Sequence, residues 1–465
     1  MAHTRELAVN KRIIVCCDGT WLASDLGDGS IASNVAKLAR AISPNGLDEA
    51  GRLIKQVVFY QSGIGSGDLP FQKAIYGGLG LGLDADVTQC YEFITNNYAP
   101  GDELFFFGFS RGAFTARSVA GLISNVGVLS SRNMVKFPEL WKAYRMNAGG
   151  QLFRSSKWYL ENAEKLGLRV VQIKAIGVWE TVGALGIPEW PLVSKLQSLG
   201  LPINKEFAFH DTALSENIEY AFQALAIDEK RFTFPPTIWH ALPGGPSKEL
   251  KQCWFPGVHS NISGGVASEP GAGDHEEIGD NTFAWMVDNV SNMLTFEESS
   301  IDAIVEHHKT AIEAIKVKDG WGCGKIVDNF AGIQGLFFRL LGRQIRTPGA
   351  YTQDPGDGSR GATNEKFHPI VRVRKAKVAW NPPALAGYNL DEPDGKGSPW
   401  VWRKDGVQPL PEYVMWPDKR MSVSYCRDGQ IEYKTVKSLS RRLCPSSILQ
   451  ELDETNAIVL VNGEA

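Results

Sequence analysis

Over roughly the first 265 residues, short apolar runs rich in β-branched and aromatic residues alternate with segments of helical period, and this alternation is what most constrains the fold. The runs are Arg12–Cys17 (RIIVCC), Val57–Gln61 (VVFYQ), Leu104–Phe109 (LFFFGF), Arg169–Trp179, Tyr220–Ile227 and Leu250–Phe255. Between them, Asn34–Ile42 places Val35, Leu38, Ala39 and Ile42 on one helical face, and Asp86–Asn97 and Arg111–Ser124 also read as helices. Strands that alternate with helices imply βαβ units, hence an α/β fold with a mainly parallel sheet of at least six strands covered on both faces. The long segments 132–168 and 185–217, with Trp141, Tyr144, Trp158, Pro188 and Trp190, are expected as helical insertions above the sheet.

Past residue 300 the pattern changes. Gly320–Gly349 carries Gly-Trp-Gly-Cys-Gly and then the apolar Ile333–Leu341 (IQGLFFRLL), and Thr347–Gly361 is rich in Pro, Gly and Asp. From Val401 onward the runs are short and β-like, and Ser422–Cys426 and Ile431–Val436 flank Asp428-Gly429, a hairpin signal. This sets a boundary near residue 300, between an α/β region and a mixed C-terminal extension, 300–465, which can contribute a cap or lid.

The charge is nearly balanced, 48 Lys+Arg against 52 Asp+Glu, which argues against a dedicated nucleic-acid binder. The N-terminus has no apolar stretch of the signal-peptide kind, and no run of about 18 apolar residues exists to span a bilayer. Seven cysteines without a CxxC pair suit a reducing compartment and free thiols. A cytoplasmic protein is expected, without a transmembrane segment, for which transient contact with a membrane surface stays open.

The sharpest chemical signal is Gly108-Phe109-Ser110-Arg111-Gly112, set between the strand LFFFGF and a helix. A nucleophile elbow needs that context: the tight turn exposes the Ser, and small residues two positions away on either side let strand and helix approach. A helix N-cap is the bland alternative for Ser110. A Ser nucleophile requires a base and an acid to orient it. Of eight His, His259 alone directly follows a strand-like run at the end of the alternation, whereas His210 reads as structural. Two acids compete: Glu180 ends the strand KAIGVW and Asp228 ends FQALAI, and topology alone leans to Asp228. The turn Asp18-Gly19-Thr20-Trp21 lies where a second oxyanion donor is expected, so an N–H near Gly19 would act with that of Arg111 while Asp18 holds the turn. The glycines at 63, 65 and 67 lack a GKS/T continuation and read as a rim loop. No cofactor and no catalytic metal are expected; the acidic stretch Asp274–Asp280 offers ligands that could hold a metal but reads rather as a solvated loop.

Six separated motifs then fall in order: Cys17–Trp21, Ser33-Asn34-Val35, Gly101-Asp102-Glu103 leading into Gly108–Arg117, Gly177–Gly183, Ala226–Glu229 and Trp254–Ser260. Over about residues 10–295 the chain resembles the α/β-hydrolase catalytic domain of type VI secretion phospholipase effectors and of its fungal and bacterial intracellular relatives. That resemblance implies Ser110 as nucleophile and His259 as base, and it favours Glu180 over Asp228 as the acid. Glu180 and Asn261 stand where the family usually has Asp. The implied activity is hydrolysis of carboxylic esters, esterase or phospholipase-like, on a small-molecule or lipid ester substrate. The aromatic-rich insertions and IQGLFFRLL would form an apolar lid, or equally plain core. The competing readings are a hydrolase-fold binding protein without activity, and an acyltransferase or lactonase of a biosynthetic pathway.

Overall fold

A computed structural model describes residues 6–19, 31–63, 83–147, 152–181, 214–241, 249–265, 276–331, 335, 338, 339, 342–352, 361–393, 398–428 and 430–456. The strands are β1 (Leu7–Cys17), β2 (Asn45–Leu47), β3 (Leu53–Gln61), β4 (Glu103–Phe109), β5 (Ile173–Trp179), β6 (Ile218–Ala226), β7 (Glu249–Phe255), the short β8 (Phe296–Glu297) and β9 (Glu365–Phe367). All but β8 form one sheet in the order β2-β3-β1-β4-β5-β6-β7-β9, parallel except for the antiparallel edge strand β2. The fold is α/β with a large, mainly parallel sheet, as the alternation of runs predicts.

The central strands are apolar on both faces because both faces are covered. Along β4, Phe105, Phe107 and Phe109 enter one core and Leu104 and Phe106 the other. The first core is closed by α1 (Asn34–Ala41) and, further along the chain, by a helix at Glu276–Val290. The second is closed by α2 (Leu83–Asn97) and α3 (Ser110–Val126), with α4 (Phe137–Met146) and α5 (Lys157–Leu166) packed outside them. Trp141, Tyr144 and Trp158 of the first long insertion pack on this second core, where Phe137 and Phe153 are buried. Pro188 and Trp190 lie outside the described residues.

After β7 come α6 (His259–Ser263), α7 (Glu276–Val290) and α8 (Glu298–Ala314). Every residue of α7 is buried. Residues beyond 300 share its core: Trp321, Ile370, Met421, Val423, Leu439 and Leu443 cluster with Phe105, Phe222 and Trp285. β9 extends the main sheet beside β7. The expected hairpin pairs Arg420–Arg427 with Gln430–Lys437, and Asp428 at its turn has φ +50°. Among the described residues no helix is long and apolar enough to cross a membrane, and all seven cysteines are free.

Candidate active site

β4 passes into α3 with no intervening loop, and the joint is Ser110, at φ +57°. A left-handed backbone at a non-glycine residue is strained and persists only where its surroundings enforce it. Here they do so through two close approaches. A Cβ on Gly108 would lie 2.6 Å from the Gly112 carbonyl oxygen, and one on Gly112 would lie 2.2 Å from the Cys17 carbonyl oxygen. Glycine at both positions is therefore what lets α3 start against the ends of β4 and β1.

His259 opens α6 immediately after β7, past Gly257 at φ +112°. Its Nε2 is 2.9 Å from Ser110 Oγ and its Nδ1 is 3.2 Å from Glu180 Oε2. An ionised carboxylate only accepts, so Nδ1 carries the proton and Nε2 is left to accept from the hydroxyl. Burial lowers the imidazole pKa; Glu180 opposes that and Arg231 adds to it, and the net direction is down, toward a neutral ring. The ring sits between Phe109, 4.7 Å away, and Phe234, 5.0 Å away and edge-on.

Glu180 follows β5 with φ +46°. Its Oε1 accepts the Ala226 N–H at 2.7 Å, and its Oε2 accepts from His259 and from Arg346 Nη2 at 2.9 Å. Burial pushes this carboxyl up, but Arg346 foremost, then His259 and the Ala226 N–H, reverse that and hold it below its ordinary value. Asp228, toward which strand order leans, is occupied elsewhere. Its Oδ2 accepts the Gly257 N–H at 2.7 Å and its Oδ1 the Trp380 indole N–H at 3.0 Å, which ties the loop before His259 in place.

In the turn expected to supply an oxyanion donor, the Asp18 carboxylate accepts from Ser33 Oγ and Tyr60 OH, each at 2.5 Å, and also from the Gly19 N–H at 2.7 Å. Asp18 thus pins the turn, and it engages the very N–H that the sequence offers as a donor. Thr20 lies outside the described residues. Arg111 stands in the first turn of α3, where helix N–H groups point outward from the N-terminus.

Four neighbours of the imidazole escape sequence reading. Glu229 Oε2 accepts the His259 backbone N–H at 3.1 Å, while Arg231 grips both Glu229 oxygens, at 2.9 and 2.8 Å. The Arg231 guanidinium lies 3.5 Å from the Phe234 ring centroid. Arg346 donates to Phe234 O at 2.8 Å as well as to Glu180. Glu229 belongs to a quoted motif and was reachable from it, whereas nothing in the sequence around Arg346 marks it. Asn261 hydrogen-bonds Val258 N, Val327 N and Lys325 O. The last bond needs an amide donor, which explains an Asn there. Asn34 ties α6 to α7 by donating to Ile262 O, Gly279 O and Thr282 Oγ1.

The stretch Asp274–Asp280, expected as a solvated loop, is corrected from Glu276 onward, because α7 begins there and is buried. Glu276, Asp280 and His307 bring their ligand atoms within 4.8 Å of one another. The Lys37 ammonium, 3.1 and 3.0 Å from the two carboxylates, already supplies the cation. His240 bonds Tyr351 O. His210, Gly65, Gly67 and most of Ile333–Leu341 lie outside the described residues, although the Phe338 ring stands edge-on to Phe234 at 6.1 Å.

Residues 11–289 match the family model described as T6SS, phospholipase effector Tle1-like, catalytic domain. A Saccharomyces cerevisiae protein described as the uncharacterized protein YEL023C is 26% identical over 251 residues, spanning 50% of this chain and 33% of the yeast protein. Among solved structures, the Tle1 effector bound to the VgrG spike of the type 6 secretion system aligns at 18% identity and TM-score 0.31, over 56% of this chain and 52% of that one. An uncharacterized protein from Pseudomonas aeruginosa aligns at 16% identity and TM-score 0.30, over 60% and 45%. The chain thus spans about a third to a half of the length of these relatives.

Proposed function

The chain belongs to the Tle1-like catalytic domain family of phospholipase effectors, and on that premise we propose that it is a serine hydrolase of carboxylic esters, acting on lipid or small acyl esters through a Ser110–His259–Glu180 triad. The observation that carries this reading is the unbroken relay from Ser110 Oγ to His259 Nε2 and from His259 Nδ1 to Glu180, at 2.9 and 3.2 Å, with the Ser on a left-handed elbow. Ser110 Oγ attacks the acyl carbonyl while His259 Nε2 takes its proton, and Glu180 stabilises the imidazolium that forms. The imidazolium then gives that proton to the departing alcohol, leaving an acyl-serine ester. Water, deprotonated by the same nitrogen, attacks the acyl carbonyl, and the imidazolium returns that proton to Ser110 Oγ as the ester bond breaks and the acid leaves. The Arg111 N–H, in the first turn of α3, serves the developing oxyanion. Glu229 holds the His259 backbone and Asp228 the loop before it, so both act as scaffold.

The test is turnover of a short-chain aryl ester and a phospholipid panel by the native protein and by Ser110→Ala. Loss of about 10⁵–10⁶-fold in kcat is expected in the variant. Equal turnover by the two proteins would dismiss the assignment. The panel separates ester classes, and an added alcohol acceptor separates hydrolysis from acyl transfer.

A further inference from the structure

The acid of a nucleophilic triad needs one charged neighbour, the imidazole that it orients. Glu180 has two. The oxygen that faces His259 Nδ1 also accepts from Arg346 Nη2 at 2.9 Å, and the same nitrogen donates to Phe234 O at 2.8 Å, beside the imidazole ring. Arg346 is 166 residues along the chain from Glu180, in the region after residue 300. Both side chains are almost wholly enclosed, 2% and 1% exposed, so water screens the pair little. A glutamate carboxylate sits at the end of three rotatable bonds, and the Ala226 N–H on one oxygen and Arg346 on the other remove that freedom.

We propose that Arg346 is a positioning residue of the triad: it clamps the Glu180 carboxylate on the imidazole and offsets its charge, so that His259 remains a free base further into acid than an uncompensated pair would. The proposal rests on the hydrolase reading above.

The sign follows from the charges. The working form, carboxylate with neutral imidazole, carries −1, and adding a proton to the pair brings it to zero. A neighbouring cation favours the first form whichever of the two groups takes the proton, so its removal raises the apparent pKa of the pair. The other charges facing His259 come from the turn after β6. These are Glu229 and Arg231, which are paired at 2.9 and 2.8 Å and largely cancel, with Asp228 beyond them facing Arg374. Arg346 is therefore the cation whose loss leaves a net negative charge beside the imidazole.

The experiment is the pH profile of kcat/KM on an uncharged aryl ester for the intact protein, Arg346→Gln and Arg346→Lys, with thermal melts to establish folding. The native acid limb is expected below the ordinary imidazole value of about 6.5. In Arg346→Gln it should move up by about one to three pH units, and Arg346→Lys should restore most of that shift. A purely structural role would lower kcat without moving the limb. An unmoved limb in folded Arg346→Gln overturns the proposal. Should that variant not fold, a native midpoint at or above about 6.5 overturns it and a lower midpoint kept by Arg346→Lys supports it. Imidazole titration by NMR, assigned with His259→Gln, needs no turnover. If no ester is cleaved, the hydrolase reading fails, and an upward shift of His259 in Arg346→Gln, or its absence, still decides the role of Arg346.

Discussion

Glu180 and Asp228 are both buried carboxylates at strand ends, and what separates them is the atom each one meets. Glu180 faces an imidazole, and Asp228 faces a backbone N–H and an indole. Glu180→Gln should lower kcat by about 10⁴-fold, since an amide no longer stabilises the imidazolium and can favour the wrong tautomer. Asp228→Asn should cost about 1–3 kcal/mol of stability by turning an NH₂ toward a donor, with a far smaller loss of kcat per folded molecule. Steady-state kinetics beside denaturant titration checks both. Glu229 belongs to the same scale. Burial would raise its carboxyl, but the Arg231 hydrogen bonds and charge bring it down to about 2. The ordinary value is about 4.3. Its stabilisation is thus complete above pH about 4.3 and fades as pH falls toward about 2. Glu229→Gln should flatten acid unfolding in that window. The members of the proposed triad were legible as candidates because each sits at or just past the end of an apolar run, the position where this kind of sheet presents chemistry. The choice of acid was not, because it depends on which way a carboxylate turns, and that is set by Arg346 and Trp380, contributed from far along the chain.

At the level of elements, the site depends on how closely α3 can approach β1 and β4. Runs with both faces apolar, such as LFFFGF, announced buried parallel strands, and all six expected strands appear; three match within two residues, β1 and β3 begin five and four residues earlier than Arg12 and Val57, and Arg169–Trp179 is strand only from Ile173. The first residue of that run, Arg169, forms an isolated bridge with Val128, and the next three lead from it into the sheet. The acidic residues that open α7 were misjudged for a physical reason: the carboxylates of Glu276 and Asp280 are met by Lys37 and by the His307 imidazole, from other helices, which a local reading cannot see. Gly112→Ala would place a methyl 2.2 Å from the Cys17 carbonyl oxygen. We expect a loss of at least about 1–3 kcal/mol in stability, since a backbone carbonyl cannot rotate aside as a side chain can. Turnover should fall further than the folded fraction, because the elbow itself is displaced. Denaturant titration and specific activity, measured together, separate the two effects.

For the whole molecule, the change of pattern near residue 300 suggested a boundary, followed by an extension able to contribute a cap or lid. The packing argues for integration: β9 joins the main sheet, Trp321, Ile370, Met421 and Leu443 enter one of its cores, and Arg346 reaches Glu180. A fragment ending at residue 300 would expose the apolar face of α7 and leave Glu180 without its cation. We expect it to lack a cooperative melt and to be degraded by protease where the full chain resists. The most direct measurement on the full account is covalent labelling of the intact protein by a fluorophosphonate, with the modified residue located by mass spectrometry. Adduct on Ser110, absent in Ser110→Ala and slowed in His259→Gln, is the expected result. An adduct that persists in Ser110→Ala, or a native protein that never reacts, would contradict the account.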